Sequence, residues 1–236
     1  MSKKVVILAG GLGSRLRPFT DIIPKPLLPI GEKSVLEIQI ERFRTYGFKD
    51  IILATNYRAE YIANFFGDGS RYGVNLKVSK ELKPLGTAGP IKLLEKEIDE
   101  PFIVMNGDIL SQIDFEKFYS VALAKGAMLT VAIKKIMLPY QFGNVFFDKD
   151  YVTEIQEKPE FLTYALAGMY VMTPEILNLI PENEYYGMDT LMKLMLSKGI
   201  PIAKYEVEEY WLDIGRMDDY QKAQDIFERE LAVANG

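Results

Sequence analysis

The chain has 236 residues, 48% hydrophobic and 26% charged, with no cysteine, no histidine and a formal charge of −5. That is enough for one large domain, with no apolar run of membrane-spanning length and no signal-peptide pattern. Disulfides, thiol nucleophiles and imidazole bases are excluded. Nucleic acid is a poor partner for so acidic a chain, and any metal must be held by oxygen, which selects Mg2+ or Mn2+. The lack of cysteine fits a cytoplasmic protein.

Val5-Val6-Ile7-Leu8 reads as a buried first strand, ending near Ala9. Gly10-Gly11-Leu12-Gly13-Ser14-Arg15 follows. A strand, then glycines, then cations is what a phosphate site on an α/β sheet requires: glycines let main-chain N–H groups approach an anion, and Arg or Lys supplies compensating charge. The spacing is neither a Walker A loop nor the dinucleotide fingerprint. Up to Lys33 the loop shows no helical or strand period. Within it Pro24 and Pro26 frame Lys25 and stiffen the segment that carries the cation. Ser34 to Glu37 has capping-box form and opens a helix with Leu36, Ile40 and Phe43 on one face and Gly47 as its stop.

A buried strand is predicted over 50–54, and then a short helix over 58–66 with Tyr61, Ile62, Phe65 and Phe66 inward. Another strand is predicted over 74–79. Strands separated by helices imply a parallel sheet with right-handed crossovers. The loop from Glu81 to Gly89 places Thr87 to cap a helix over 90–97. A strand over 101–105 ends at Asn106-Gly107-Asp108. A carboxylate at the C-terminal end of a central strand stands where such sheets bind ligands, and it is a good Mg2+ ligand. Asp114 caps a helix that Gly126 terminates, and 128–134 is a strand.

From about Phe142 the pattern changes. Asn144 to Ile155 reads as a hairpin turning at 148–150, closed by Glu157-Lys158-Pro159. A strand over 164–172 contains Gly168 and Tyr170, and Thr173-Pro174 starts a helix. Further elements are a Met-rich helix over 187–198, a strand over 202–207, the Trp211-Leu212-Asp213-Ile214-Gly215 stretch, and a last helix from Met217 to about Ala232. That helix buries Tyr220, Ala223, Phe227 and Leu231. No internal repeat, low-complexity segment or linker interrupts the chain, so 1–236 reads as one α/β domain. A Rossmann-like, mainly parallel sheet flanked by helices occupies 1–140, and a β-rich part with the C-terminal helix occupies 141–236.

The order G-G-x-G-S-R-L-x-P-x-T, then P-K-P-L-L-P-I, resembles the signature of the sugar-1-phosphate nucleotidylyltransferases. E-x-x-P-L-G-T-A-G, N-G-D, E-K-P and W-L-D-I-G extend the likeness over nearly the whole chain. The wording is most similar to mannose- and heptose-type guanylyltransferases and related bacterial sugar-activating enzymes. The resemblance implies transfer of a nucleotidyl group from an NTP to a sugar 1-phosphate. By it, Leu8, Ala9, Gly10, Gly11, Gly13, Ser14, Arg15, Lys25, Glu81, Pro84, Gly86, Thr87, Gly107 and Asp108 hold the nucleotide. Gly143, Glu157, Lys158, Gly168 and Tyr170 hold the sugar phosphate, and Asp108 and Asp213 hold Mg2+ or Mn2+. Arg15, Lys25, Asp108, Lys158 and Asp213 carry the chemistry, and a homo-oligomer is compatible with it.

With no His or Cys, a covalent nucleotidyl-enzyme is disfavoured, and catalysis reduces to positioning and charge stabilisation of an in-line attack. An ionised Glu81 can only accept. Guanine offers it two adjacent N–H groups and cytosine an amino group, where thymine or uracil offers one imide N–H. This leans to GTP, although a main-chain group could equally read the base, and the same reaction with dTTP, UTP or CTP is the alternative. Two rivals stand beside this reading. One is a non-catalytic NDP-sugar-binding homologue, which should lose an aspartate or the framed lysine. The other is a cytidylyltransferase-like enzyme with an alcohol-phosphate acceptor.

Overall fold

The computed structural model describes residues 3–226. Its first half begins with β1 (Lys4–Leu8), α1 (Phe19–Ile22), the two-residue strands β2 (Pro29–Ile30) and β3 (Lys33–Ser34), and α2 (Val35–Thr45). There follow β4 (Asp50–Thr55), α3 (Ala59–Phe66), β5 (Asn75–Lys80), α4 (Gly89–Lys92), β6 (Phe102–Asn106), β7 (Ile109–Ser111) and α5 (Phe115–Lys125). The second half adds β8 (Leu129–Pro139), β9 (Asn144–Asp148), β10 (Tyr151–Gln156), β11 (Glu160–Met172), α6 (Met188–Ser197), β12 (Ile202–Glu206), β13 (Trp211–Asp213) and α7 (Met217–Ile226).

Seven strands form one sheet in the order β12-β8-β11-β6-β1-β4-β5. β6, β1, β4 and β5 run parallel, β11 is antiparallel to both β6 and β8, and β12 is parallel to β8. The sheet is therefore mixed and mainly parallel, and β11 ties the second half of the chain into its middle. Val5 and Ile7 enter the core cluster on one face while Val6 enters the cluster on the other. A central parallel strand is buried on both faces, which is why β1 reads as an unbroken apolar run.

The helix ends form where their caps predict. Ser34 accepts from Glu37 N while the Glu37 carboxylate accepts from Ser34 N. Asp114 accepts from Lys117 N, and Gly126 ends α5 in the left-handed region. The buried faces of α2 and α5 meet through Phe43 and Phe115, whose rings stack 4.1 Å apart.

Several expectations are corrected. The 10–33 loop contains short 3-10 turns at Ser14–Leu16 and Lys25–Leu27 besides α1. The helix expected over 90–97 is regular only over Gly89–Lys92, and the one opened by Pro174 is a 3-10 helix, Pro174–Leu179. On α3 only Ile62 and Phe66 of the four inward residues are buried, and Tyr61 and Phe65 face solvent. Eight residues of amphipathic helix cannot bury four large side chains spread over six consecutive positions. Ala223 is buried on α7, and Tyr220 is half-buried with its hydroxyl donating to Pro29 O. Phe227 and Leu231 lie outside the described residues.

Candidate functional site

Two adjoining cavities open at the C-terminal ends of β1, β4 and β6. The first, of about 300 Å3, is lined by Leu8, Ala9, Gly11, Gly13, Ser14, Arg15, Lys25, Gly107 and Asp108, together with Leu12, Pro26 and Gly215. The second, of about 360 Å3, shares Leu8, Gly11, Leu12 and Asp108 and adds Gly10, Glu81, Pro84, Gly86 and Thr87. Every residue expected at the nucleotide thus lines one of the two.

The cationic cavity is built by short-range chemistry. Gly13 has φ +62°, and a Cβ there would come within 2.8 Å of Thr20 Cγ2 and 3.0 Å of Lys25 Cβ. Glycine lets the turn close onto both, and the Thr20 hydroxyl donates to Gly13 O at 2.8 Å. Lys25 is brought in, nearly buried, and its ammonium donates to Asp108 Oδ2. Arg15 stays exposed, with its guanidinium beside Gly215.

The two aspartates meet through the antiparallel pairing of β7 with β13. Ile109 stands opposite Asp213, and Ile214 N donates to Asp108 O at 2.9 Å. Burial, and then the neighbouring Asp108 charge, hold the Asp213 carboxyl above the usual carboxylate range, against the opposing pull of Lys25 and Arg15. Two carboxylates placed side by side in this way could serve as oxygen ligands for a hard divalent cation. No third acidic ligand joins them among the described residues. This suits Mg2+ or Mn2+, which bind through one or two carboxylates and take further oxygens from phosphate.

Buried Gln39 on α2 positions the Asp108 turn. Its Nε2 donates to Asn106 O at 3.0 Å and to Ile109 O at 2.7 Å, bracketing Gly107-Asp108 from both ends. Sequence reasoning missed it, because a lone glutamine on an apolar helix face carries no motif.

The second cavity differs from expectation in detail. Glu81 is 6% exposed, and one oxygen, Oε2, accepts from Leu85 N at 2.9 Å. Its other oxygen lies against Gly10. Burial pushes its carboxyl up from the ordinary value, with the Leu85 N–H opposing. One of the two oxygens assigned to a base is therefore already engaged by its own loop. Gly86 has φ +82°, and a Cβ there would meet Tyr186 O at 2.7 Å. Tyr186 O accepts from Ala88 N and Gly89 N. The close approach that requires glycine is thus to the 184–188 segment. Thr87 is corrected too: its hydroxyl accepts from Met188 N and caps α6, while α4 has no side-chain cap. Asn56 and the 73%-exposed Tyr185 also line this cavity and were not foreseen. Asn56 follows the end of β4, where strand polarity alone would have pointed.

The sugar-phosphate set is not brought together. Gly168 lies in a bulge of β11 beside Asn106, and Trp211 Nε1 donates to Ala167 O at 2.8 Å. Gly143 and Glu157 face each other, but neither they nor the exposed Lys158 line the two cavities. Tyr170 is a correction: opposite Val104 in the sheet, it points into the core beneath the site. Burial pushes its phenol up to about 12.

A larger cavity, about 740 Å3, opens at the other ends of β1, β4 and β5. There Lys77 pairs with Glu97 at 2.7 Å and Lys4 with Asp99 at 2.6 Å, so two of its cations are already answered. Strand polarity and the glycine turn mark the smaller pair of cavities as the site.

The Nucleotidyl transferase family model matches residues 4–230. The chain is 35% identical over 226 residues to a mannose-1-phosphate guanyltransferase of Candida albicans, covering 92% of this chain and 62% of that protein. It is 34% identical over 250 residues to a UTP–glucose-1-phosphate uridylyltransferase of Synechocystis, covering 97% and 64%. It spans less than two thirds of the length of these relatives. HddC from Yersinia pseudotuberculosis, solved with GMP-PN, superposes with a TM-score of 0.73 at 28% identity, covering 95% of this chain and 99% of that one. A UDP-glucose pyrophosphorylase solved with UDP-glucose shares the fold, with a TM-score of 0.73 at 20% identity, covering 98% and 100%. With the glycine turn, the framed lysine and the paired aspartates in one place, the chain belongs to the Nucleotidyl transferase family.

Proposed function

We propose that the chain transfers a nucleotidyl group from an NTP, preferably GTP, to a sugar 1-phosphate, releasing pyrophosphate, and that it does so in the cytoplasm. The observation that carries this is the convergence of Arg15, Lys25, Asp108 and Asp213 at one rim of the glycine-lined cavity, with a second cavity of base size beside it. In this reading the main chain of Gly10, Gly11, Gly13 and Ser14 cradles the phosphates. Arg15 and Lys25 meet the charge that grows on the leaving pyrophosphate. An acceptor phosphate oxygen attacks the α-phosphorus, the α–β phosphoanhydride bond breaks, and the electron pair leaves with pyrophosphate. The acceptor oxygen is already ionised at neutral pH, so no proton need be removed and the lack of histidine is no handicap.

Asp108 and Asp213 would hold Mg2+ or Mn2+, which when bound would neutralise phosphate charge. Lys25 already pairs with Asp108 and holds that carboxylate in place. Glu157 and Lys158 would meet the acceptor, with Gly143 and Gly168 leaving room for the sugar.

The guanylyl preference rests on Glu81, whose Oε1, beside Gly10, is the oxygen that Leu85 N leaves free to accept from a base. The guanyltransferase named among the relatives and the GMP-PN bound to HddC support it. The uridylyltransferase relative favours UTP as the second reading. The test is pyrophosphate release with four NTPs against a panel of sugar 1-phosphates. GTP should give the highest kcat/KM. A preference for UTP or dTTP replaces the base assignment, and no release with any pair overturns the reaction.

A further inference from the structure

Between the glycine turn and the framed lysine the chain folds into α1, one turn of helix with most of its surface open. Phe19, Asp21 and Ile22 are exposed, and of its four residues Thr20 alone is buried. A single turn of helix is unstable by itself in water, so α1 keeps its place through what tethers it. Thr20 is one tether, by its bond to Gly13 O. Arg58 is another, and it comes from across the site.

Arg58 stands three residues past the end of β4 and two past Asn56, which lines the base-sized cavity. Its φ is +52° and its ψ 39°, a left-handed conformation that L residues adopt at a cost, and α3 begins at the next residue. Held in that way, the guanidinium lies 5.2 Å from the centre of the Tyr57 ring and 5.4 Å from that of Tyr61. Its Nη1 donates to Ile22 O and its Nη2 to Asp21 O. Carbonyls in the last turn of a helix have no donor within it, and here one planar fork answers two of them. A non-glycine residue kept in a costly conformation directs attention to what its side chain does there.

We infer that Arg58 is a positioning residue for the transfer: it latches α1 to the turn after β4, and through α1 it sets the glycine turn and Lys25. The path is short. A Cβ on Gly13 would meet Thr20 at 2.8 Å and Lys25 at 3.0 Å, so Gly13, Thr20 and Lys25 are packed against one another. Lys25 in turn donates to Asp108. A shift of α1 therefore moves the main chain that cradles the phosphates and the ammonium that meets the leaving pyrophosphate. Glu157 and Lys158, outside both cavities, are not on this path. The kinetic consequence rests on the proposed nucleotidyl transfer, whereas the latch does not.

The test combines steady-state kinetics with hydrogen exchange at short labelling times on the full chain. R58G removes the guanidinium and leaves a backbone that takes the left-handed conformation freely, and R58K keeps the charge without the fork. R58G should lower kcat/KM for the best NTP donor by about tenfold or more, with the sugar phosphate KM within about twofold of wild type. Peptides spanning 12–25 should exchange faster, while those of β1, β4 and β6 keep the wild-type rate. R58K should retain less than about half of the wild-type kcat/KM. Unchanged exchange over 12–25 overturns the latch, and so does faster exchange in the sheet strands as well, which places the loss in the fold. Faster loop exchange with unchanged kinetics overturns the positioning role, and equal rises in both KM values overturn the path through α1. An R58K equal to wild type overturns the need for the fork. A wild type without turnover bears on the proposed reaction, and the exchange comparison then still decides the latch.

Discussion

Gln39→Leu isolates the support of the Asp108 turn from the carboxylate itself. Leucine fills nearly the same volume on α2, so packing is conserved, but both bonds from Nε2 to Asn106 O and Ile109 O are lost. A buried carbonyl deprived of its donor costs about 1–3 kcal/mol. Two such losses are partly offset, because Gln39 Oε1 is itself buried without a partner and disappears with the substitution. The net expectation is a loss of about 2–4 kcal/mol. For a domain of this size that lowers Tm by roughly 5–15 °C, at ~2–4 °C per kcal/mol. Asp108 is also released from a bracketed turn, and a misplacement of about 1 Å at a reacting centre can cost on the order of 100-fold. Calorimetry and steady-state kinetics on the same preparation provide the assay: Tm and kcat should fall together, with the NTP KM changed less. A variant that melts within about 2 °C of wild type and keeps its kcat would refute the positioning role.

Asp108→Asn and Asp213→Asn should each cut kcat at least ~100-fold with the melting transition retained, and Mg2+ titration of turnover should shift to higher concentration. Near wild-type turnover at saturating Mg2+ would remove that residue from the ligand set. Lys158→Ala should raise the sugar phosphate KM far more than the NTP KM, and equal effects on both would return the segment to an ordinary surface loop. For Glu81, burial lifts the folded-state pKa above its value of 4.5 in the unfolded chain. The folded state then binds more protons across the window between the two values, so stability falls as pH rises through it. Glu81→Gln should accordingly be more stable than wild type at pH 7, with the difference vanishing below about pH 4, and should narrow the lead of GTP over UTP and dTTP. Denaturant melts at several pH values and donor kcat/KM ratios check both halves.

Much of the site was legible because its signals are local. Glycines, a framed lysine and strand-end aspartates each need only a few neighbouring residues to be read, and β7 with β13 then joins two acids far apart in the chain. The caps of α2 and α5 are local in the same sense. What escaped depends on partners distant in sequence. Thr87 looked like the cap of the helix that follows it, but the segment at 184–188 lies closer in space and takes its hydroxyl. Gly86 answers the same neighbour. Tyr170 sits in a strand that borders the site, yet strand alternation sends its side chain to the opposite core, a parity that only the register with β6 decides. Gln39 and Tyr185 belong to no motif, and only the folded geometry shows them.

Direct transfer to the acceptor at the Arg15, Lys25, Asp108 and Asp213 cluster is tested by following GTP labelled at the α-phosphate together with a sugar 1-phosphate. The label should appear in the NDP-sugar with one pyrophosphate released per product, none should remain on protein quenched during turnover, and the D108N/D213N double variant should form neither product. Label retained on the protein, or release of orthophosphate in place of pyrophosphate, would contradict the account.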